Sequence, residues 1–311
     1  MTFARAFAPA TVANIGVGFD ILGLAVQGTG DRVEVEFRDE PGARILSIEG
    51  DGGRLPREAD KNTASVAAQA VLDTIGAQRG VGIRLYKDLP INSGLGSSAA
   101  SAVAAAVAVN ALFGSPLKKE ALLPACMEGE ACVSGYHADN VGPSLLGGIT
   151  LITGTDVSQI YHMPVPEALY LALVTPAVDV PTAQARAVLP KSISLRDMVA
   201  QTGGVARLVD ALYRGDIAAM GMAMEADCVV EPARAHLMPY LMEVRTAAKR
   251  AGACGLVISG AGPTLCAVCE SDAIALACSV AMKAVYDDRD IASRVQQTQV
   301  DRTGARVQLY E

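Results

Sequence analysis

The chain has 311 residues, 51% of them hydrophobic and 19% charged, which at roughly 100–200 residues per domain gives two compact domains or one large one and excludes intrinsic disorder. Lys+Arg 26 against Asp+Glu 33 leaves a net charge of −7, with no basic tract, 5 Phe, 8 Tyr and no Trp. Nucleic acid and anionic membrane, which both need a concentrated positive face, are therefore poor partners.

In chain order, residues 6–24 are apolar, but Pro9, Thr11, Asn14 and Asp20 interrupt them, so they do not read as a signal peptide. Residues 32–37 alternate with period two and predict a strand, as residues 81–86 do more weakly. Between them Asn62 or Thr63 caps a helix over 64–75, which Gly76 stops. A loop over 89–98 runs directly into an Ala-rich helix that ends at Phe113, before Gly114 and Pro116. That apolar run falls short of the ~20 residues that span a bilayer. A helix over 117–134 and a strand over 147–153 follow. Residues 153–166 carry Gly154, Pro164 and Pro166 and place a boundary near 163, giving domains 1–163 and 164–311. The second half predicts a strand over 169–174, helices over 195–214, 217–227 and 239–251, strands over 255–259 and 265–269, a helix over 273–286 and a last strand over 306–309. Irregular alternation of helices with half-polar strands favours an α+β fold over a doubly wound parallel sheet.

Cysteines at 126, 132, 228, 254, 266, 269 and 278 form an odd, scattered set, so no disulfide framework is expected. Cys266 and Cys269 have the spacing of half a metal site, but no second pair or nearby His accompanies them, and they read as a buried strand. The expectation is a soluble, cytoplasmic chain.

The most informative segment is Pro90-Ile91-Asn92-Ser93-Gly94-Leu95-Gly96-Ser97-Ser98-Ala99-Ala100, set between a strand and a helix. A helix start offers N–H groups without internal partners and positive potential, which suits a phosphate. Gly94 and Gly96 let backbone amides curl around anionic oxygens, and Ser97 and Ser98 add hydroxyls for phosphate or a hard metal ion. The loop lacks the Gly-Lys-Ser/Thr of a Walker A motif and the spacing of a Rossmann turn.

This segment resembles the phosphate-binding motif of the GHMP kinases, and two more motifs match in order: residues 8–20, ending Asn14-Ile-Gly-Val-Gly-Phe-Asp20, and Ser259-Gly-Ala-Gly-Pro-Thr264. The first motif is similar to the homoserine kinase branch, as are residues 135–144, 181–190 and 231–237. The resemblance implies an N-terminal domain like the second domain of a small-subunit ribosomal protein, a ferredoxin-like C-terminal domain, an active site between them and a homodimer. It also implies transfer of the γ-phosphoryl of ATP to the side-chain hydroxyl of L-homoserine, within threonine biosynthesis.

Homoserine requires a cation for its carboxylate and acceptors for its ammonium. Arg186 and Arg234 suit the carboxylate, because a guanidinium grips it bidentately. Asp20, acidic in an apolar stretch, needs a cation, which the resemblance makes the substrate ammonium. The resemblance further places Asn14, His137, Asp139, Asn140 and Thr182 around the substrate, and Asn62 and Lys87 against the nucleotide, although Lys87 also fits a plainly solvated position. It assigns Mg²⁺ to Ser98 and Glu130, with Glu128 the rival, and casts Asn140, Glu130 and Arg186 as catalytic. Asn140 can orient the hydroxyl but not take its proton, and the identity of any general base stays open. Two departures stand out: Ile91-Asn92 where Gly or a second Pro is common, and a 130-to-137 gap one residue shorter than in some relatives.

Overall fold

The computed structural model describes residues 2–308. Strands β1 (Phe3–Ala13), β2 (Leu22–Arg38), β3 (Ala43–Glu49), β4 (Gly80–Tyr86), β5 (Ile149–Ile152) and β6 (Ile160–Met163) belong to one sheet, in which β1, β2, β4 and β3 are successive neighbours. At the start of β2, Leu22–Leu24 pair with β5, and β6 pairs with β5. Val33 and Val35 of β2 are fully buried, whereas Glu34 and Glu36 on its other face meet Arg5 and Arg84 at 2.7 Å, so the period-two pattern divides core from cross-strand ion pairs.

Helices α1 (Thr63–Thr74), α2 (Ser97–Leu112), α3 (Leu123–Ala131) and α4 (Ala138–Leu146) accompany this sheet, with α2 packed against β1, β2, α1, α3 and α4. Because α2 is covered on nearly every side, an Ala- and Val-rich sequence serves it: small side chains let neighbouring backbones come close.

The second half contains β7 (Tyr170–Pro176), α5 (Thr182–Ala187), α6 (Leu195–Arg214), α7 (Ile217–Met224), α8 (Val230–Arg234), α9 (Leu241–Arg250), β8 (Gly255–Ile258), β9 (Leu265–Cys269), α10 (Asp272–Asp287) and β10 (Ser293–Gln299). These strands form a separate antiparallel sheet in the order β10-β7-β9-β8, the ferredoxin-like arrangement. The last strand, β11 (Arg306–Gln308), returns to the first sheet beside β1, and Asp301 meets Ala25 and Gly148 through backbone hydrogen bonds on the way. Leu309 of the expected last strand lies outside the described residues.

Several expectations differ from the structure for local reasons. The helix expected over 117–134 divides into a 3-10 turn at Lys119–Leu122 and α3, because Pro124 enters at the first positions of a helix and lacks the N–H that would continue an earlier one. Helix α4 went unpredicted because Gly142 and Pro143 interrupt its nine residues. The sequence Ser-Arg-Val-Gln-Gln-Thr-Gln of β10 carries little apolar alternation, as befits the edge of a sheet. All seven cysteines are free, and Cys266 and Cys269 are buried in β9.

Asn62 caps α1: its Oδ1 accepts from the Ala64 N–H at 3.0 Å, and its Nδ2 donates to the Pro56 carbonyl at 2.8 Å. Asn62→Ala is expected to lower unfolding stability by about 1 kcal/mol, and Asn62→Asp to recover most of that loss. Chemical denaturation midpoints of the three proteins measure this, and an unchanged midpoint for the alanine variant would remove the cap's contribution.

Candidate active site

A cavity of about 390 Å³ opens where both halves of the chain meet, lined from the first half by Asn14, Asp20, Ser98 and Glu130 among others, and from the second by Thr182, Arg186, Arg234 and Gly260. Its floor is the loop between β4 and α2. Gly96, the residue before α2, is left-handed (φ 64°) and leaves the helix without a side-chain cap, so the first N–H groups of α2 lack the usual side-chain acceptor. A Cβ on Gly96 would stand 2.0 Å from Thr11 Oγ1 and 2.7 Å from Asn140 Oδ1; one on Gly94 would stand 2.4 Å from the Ser259 carbonyl oxygen. Both positions need glycine because other chain segments occupy the space of a side chain.

Those segments are the other two motifs. Ser259 Oγ donates to the Gly94 carbonyl at 2.6 Å, the Thr264 N–H donates to the Ser93 carbonyl, and the Gly260 N–H donates to the Ala13 carbonyl. Asn14 Nδ2 and Arg234 Nη1 both donate to the Gly260 carbonyl, at 3.1 and 2.9 Å. Three stretches far apart in sequence thus form one hydrogen-bonded unit.

Three carboxylates share the cavity with two arginines. Asp20 holds Arg186 bidentately at 2.9 and 3.2 Å, lies 3.5 Å from His137 Nδ1, and donates its backbone N–H to Asn14 Oδ1 at 3.1 Å. Its cation in the structure is therefore Arg186. Arg234 is buried, with Nε on the Ala185 carbonyl and Nη1 on that of Gly260. Burial and the neighbouring Arg186 cation push its pKa down. Phe19, to which the sequence assigned no role, has both guanidiniums over its ring, with the guanidinium carbon of Arg186 5.6 Å and that of Arg234 5.2 Å from the ring centre.

Glu130 is 4% exposed. Its Oε1 accepts from Ser98 Oγ at 3.1 Å and from Ser134 Oγ, while Oε2 is buried without a partner. Burial pushes its pKa up to about 7, against the two serine hydrogen bonds and the charges of Lys87 and Arg186. Asp139 is pushed up to about 7, first by burial and then by the negative charges of Asp20 and Glu130. His137 is pushed down by burial. An orphaned carboxylate oxygen beside a serine hydroxyl is a hard-donor pair that a divalent cation would complete. Among the described residues no three His, Cys, Asp or Glu side chains cluster as metal ligands. Glu128 is exposed on α3 and accepts from Tyr136 Oη, away from the cavity.

Of the residues expected at the site, Pro90, Leu95, Ala99 and Ala100 do not line the cavity, and the last three are buried in the core. Ile91, Asn92, Ser93, Gly94, Gly96, Ser97 and Ser98 do line it, as do His137, Asp139 and Asn140. Asn62 also lines it, with both amide atoms engaged in capping. Asn140 Oδ1 accepts from Thr11 Oγ1 at 2.6 Å. Lys87 borders the cavity but is not solvated: its side chain is 2% exposed and bonded to Asp31.

The sequence matches the GHMP kinases N terminal domain over residues 62–148 and the GHMP kinases C terminal domain over 208–288. It is 42% identical to a homoserine kinase of Chloroherpeton thalassium over 97% of this chain and 98% of that one. To a homoserine kinase of Arabidopsis thaliana it is 41% identical over 86% and 74% of the two chains. The structure is similar to a crystal structure of homoserine kinase from Cytophaga hutchinsonii, with a TM-score of 0.95, 44% identity and coverage of 99% and 98%.

The burial of Asp139 predicts a pH dependence in protein free of nucleotide and metal. Below its ordinary value of 3.8 the carboxyl is protonated in both folded and unfolded chains and costs nothing. As pH rises toward about 7 only the unfolded chain ionises, so stability is lost, fully so above that value. Asp139→Asn is expected to be more stable than the parent at pH 8, with a margin roughly 2–3 kcal/mol larger than at pH 5. Urea unfolding at the two pH values reads the margin; one that shrinks as pH rises contradicts the burial argument.

Proposed function

The chain belongs to the homoserine kinase family of the GHMP kinases, and we propose on that footing that its cavity moves the γ-phosphoryl of ATP onto the side-chain hydroxyl of L-homoserine, giving O-phospho-L-homoserine and ADP. The observation that carries this reading is the uncapped start of α2 facing a cavity that also holds Asp20, Arg186 and Arg234. A phosphate chain fits the first feature and a zwitterion the second.

The triphosphate lies along the loop from Ile91 to Ser98, where glycine amides and the α2 terminus supply positive potential. Ser98 and Glu130 hold Mg²⁺, which when bound neutralises phosphate charge. Arg234 faces the substrate carboxylate, and Asp20 accepts its ammonium beside Asn14, His137, Asp139 and Thr182. With Oδ1 engaged by Thr11, Asn140 keeps its Nδ2 donor for the substrate hydroxyl. Arg186, near both Glu130 and Asp139, opposes charge on the moving phosphoryl group. The hydroxyl oxygen forms the new bond to phosphorus as the bond to the ADP oxygen breaks, and the hydroxyl proton passes to an oxygen of the transferred phosphoryl group and from there to solvent. The transition state of such a transfer is loose, so positioning and charge neutralisation supply most of the acceleration.

The same reading places the domain division near residue 163, with residues 300–308 rejoining the first sheet. It takes the protein as a cytoplasmic homodimer; seven unpaired cysteines support a reducing compartment.

ADP release measured in parallel with L-homoserine, L-threonine, mevalonate and galactose is expected to be fastest with L-homoserine; an equal rate with either substrate lacking an amine overturns the assignment. Arg234→Leu is expected to cost roughly 2–5 kcal/mol in kcat/KM for homoserine, and an unchanged value removes Arg234 from the site. Glu130→Ala is expected to reduce Mg²⁺-dependent turnover far more than Glu128→Ala, and the opposite order exchanges their roles.

A further inference from the structure

Asp31 of β2 and Lys87, the residue after β4, form an ion pair whose side chains are 0% and 2% exposed. A buried pair of this kind is expensive to desolvate and contributes little that well-packed apolar residues could not. Its surroundings suggest a use other than stability. Besides Asp31, the Lys87 ammonium reaches the Ser97 carbonyl at 2.8 Å, Ser97 Oγ at 2.6 Å and Ser101 Oγ at 2.8 Å. Asp31 in turn accepts from the Leu89 N–H at 3.1 Å and from Ser101 Oγ at 2.8 Å. Leu89 opens the glycine loop, and Ser97 and Ser101 sit on the first turns of α2 that close it. One buried pair therefore ties both ends of the loop together. Lys87 and Ser101 border the cavity, but a lysine ammonium has three donors and four protein oxygens already surround this one.

We propose that Asp31 and Lys87 are positioning residues for the phosphate loop: they hold its two ends at the spacing that aims its amides and Ser98 at the triphosphate, and Lys87 itself does not touch the phosphates. The inference rests on the kinase reading for the identity of the ligand and goes beyond it in assigning Asp31 a part in nucleotide binding. The charge that a direct phosphate ligand would use is spent inside the protein, and what reaches the cleft is geometry.

The test is fluorescence titration with mant-ATP and Mg²⁺, together with KM values for ATP and L-homoserine and thermal melts, on the full chain. Asp31→Asn and Lys87→Met are each expected to weaken mant-ATP binding about tenfold or more while leaving KM for L-homoserine within about twofold. The apolar pair Lys87→Met with Asp31→Leu is expected to regain the parental melting temperature and still bind mant-ATP weakly, because no donor then holds Ser97. Ser101→Ala, which removes a hydroxyl and leaves the ion pair in place, is expected to weaken binding several-fold at a near-parental melting temperature. Asp31→Asn that binds mant-ATP as tightly as the parent or more tightly overturns the proposal in favour of a direct Lys87–phosphate contact. An apolar pair, or Ser101→Ala, with parental affinity overturns it in favour of packing alone. Parent protein that binds mant-ATP without turning over L-homoserine defeats the substrate reading, while the variant affinities still decide the role of the pair.

Discussion

The site depends on a helix that starts at the cavity without a side-chain cap. Helix α2 is packed against two strands and three helices, its first residues Ser97 and Ser98 are half-buried and line the cavity, and Gly96 has no side chain to offer their N–H groups. A helix start in this condition turns its free N–H groups to whatever acceptor enters the cavity. The surrounding structure maintains the condition: Thr11 and Asn140 occupy the space in which a residue with a Cβ would need to stand at position 96. The Ala-rich composition of α2 belongs to the same constraint, since bulkier side chains would force α1 and α3 away and widen the cavity they border.

Charge is arranged around that opening with little slack. Asp20, Glu130 and Asp139 stand against Arg186 and Arg234, and the balance is uneven. Asp20 has a bidentate partner, Glu130 has hydroxyls only, and Asp139 has its pKa pushed up by burial and then by acidic neighbours. A carboxyl left near neutrality in a polar cleft is poised for an arriving cation or for a hydrogen bond from a ligand. Phe19 answers a second difficulty, because two guanidiniums facing one small cavity repel each other. Both guanidiniums lie over its ring, whose quadrupole attracts each cation and so offsets part of their repulsion.

How much of this was legible in the sequence depended on the kind of signal. Long elements are the legible ones: the helix expected over 195–214 is α6, Leu195–Arg214, which Ser194 and Gly215 bound in the structure. The glycine loop was legible because backbone chemistry near a helix start needs few residue types. Strand β1 was not: its eleven residues are largely small, and proline at position 9 obscures the alternation, so only pairing with β2 defines it. Lys87 could be found but not understood. Its partner Asp31 lies 56 positions earlier, and nothing local distinguishes a buried lysine from a solvated one. Phe19 was missed altogether, since its function comes from arginines at positions 186 and 234 that only the fold brings together.

The loop after β8 explains how two halves of the chain keep a reaction in register. Gly260 receives Asn14 and Arg234 on one carbonyl, one donor from each half. The same short loop fixes Gly94 through Ser259 and Ser93 through Thr264. The phosphate end and the carboxylate end of the cleft are therefore referenced to one piece of backbone rather than to two domains that could drift apart. For a transfer whose rate is set by placing an oxygen within about 3–3.5 Å of its target, that shared reference matters more than a strong base. A cleft built from two bodies can hold such a tolerance only where some element belongs to both, and here Ser259–Thr264, carried by the C-terminal sheet but bonded to the N-terminal loop, is that element.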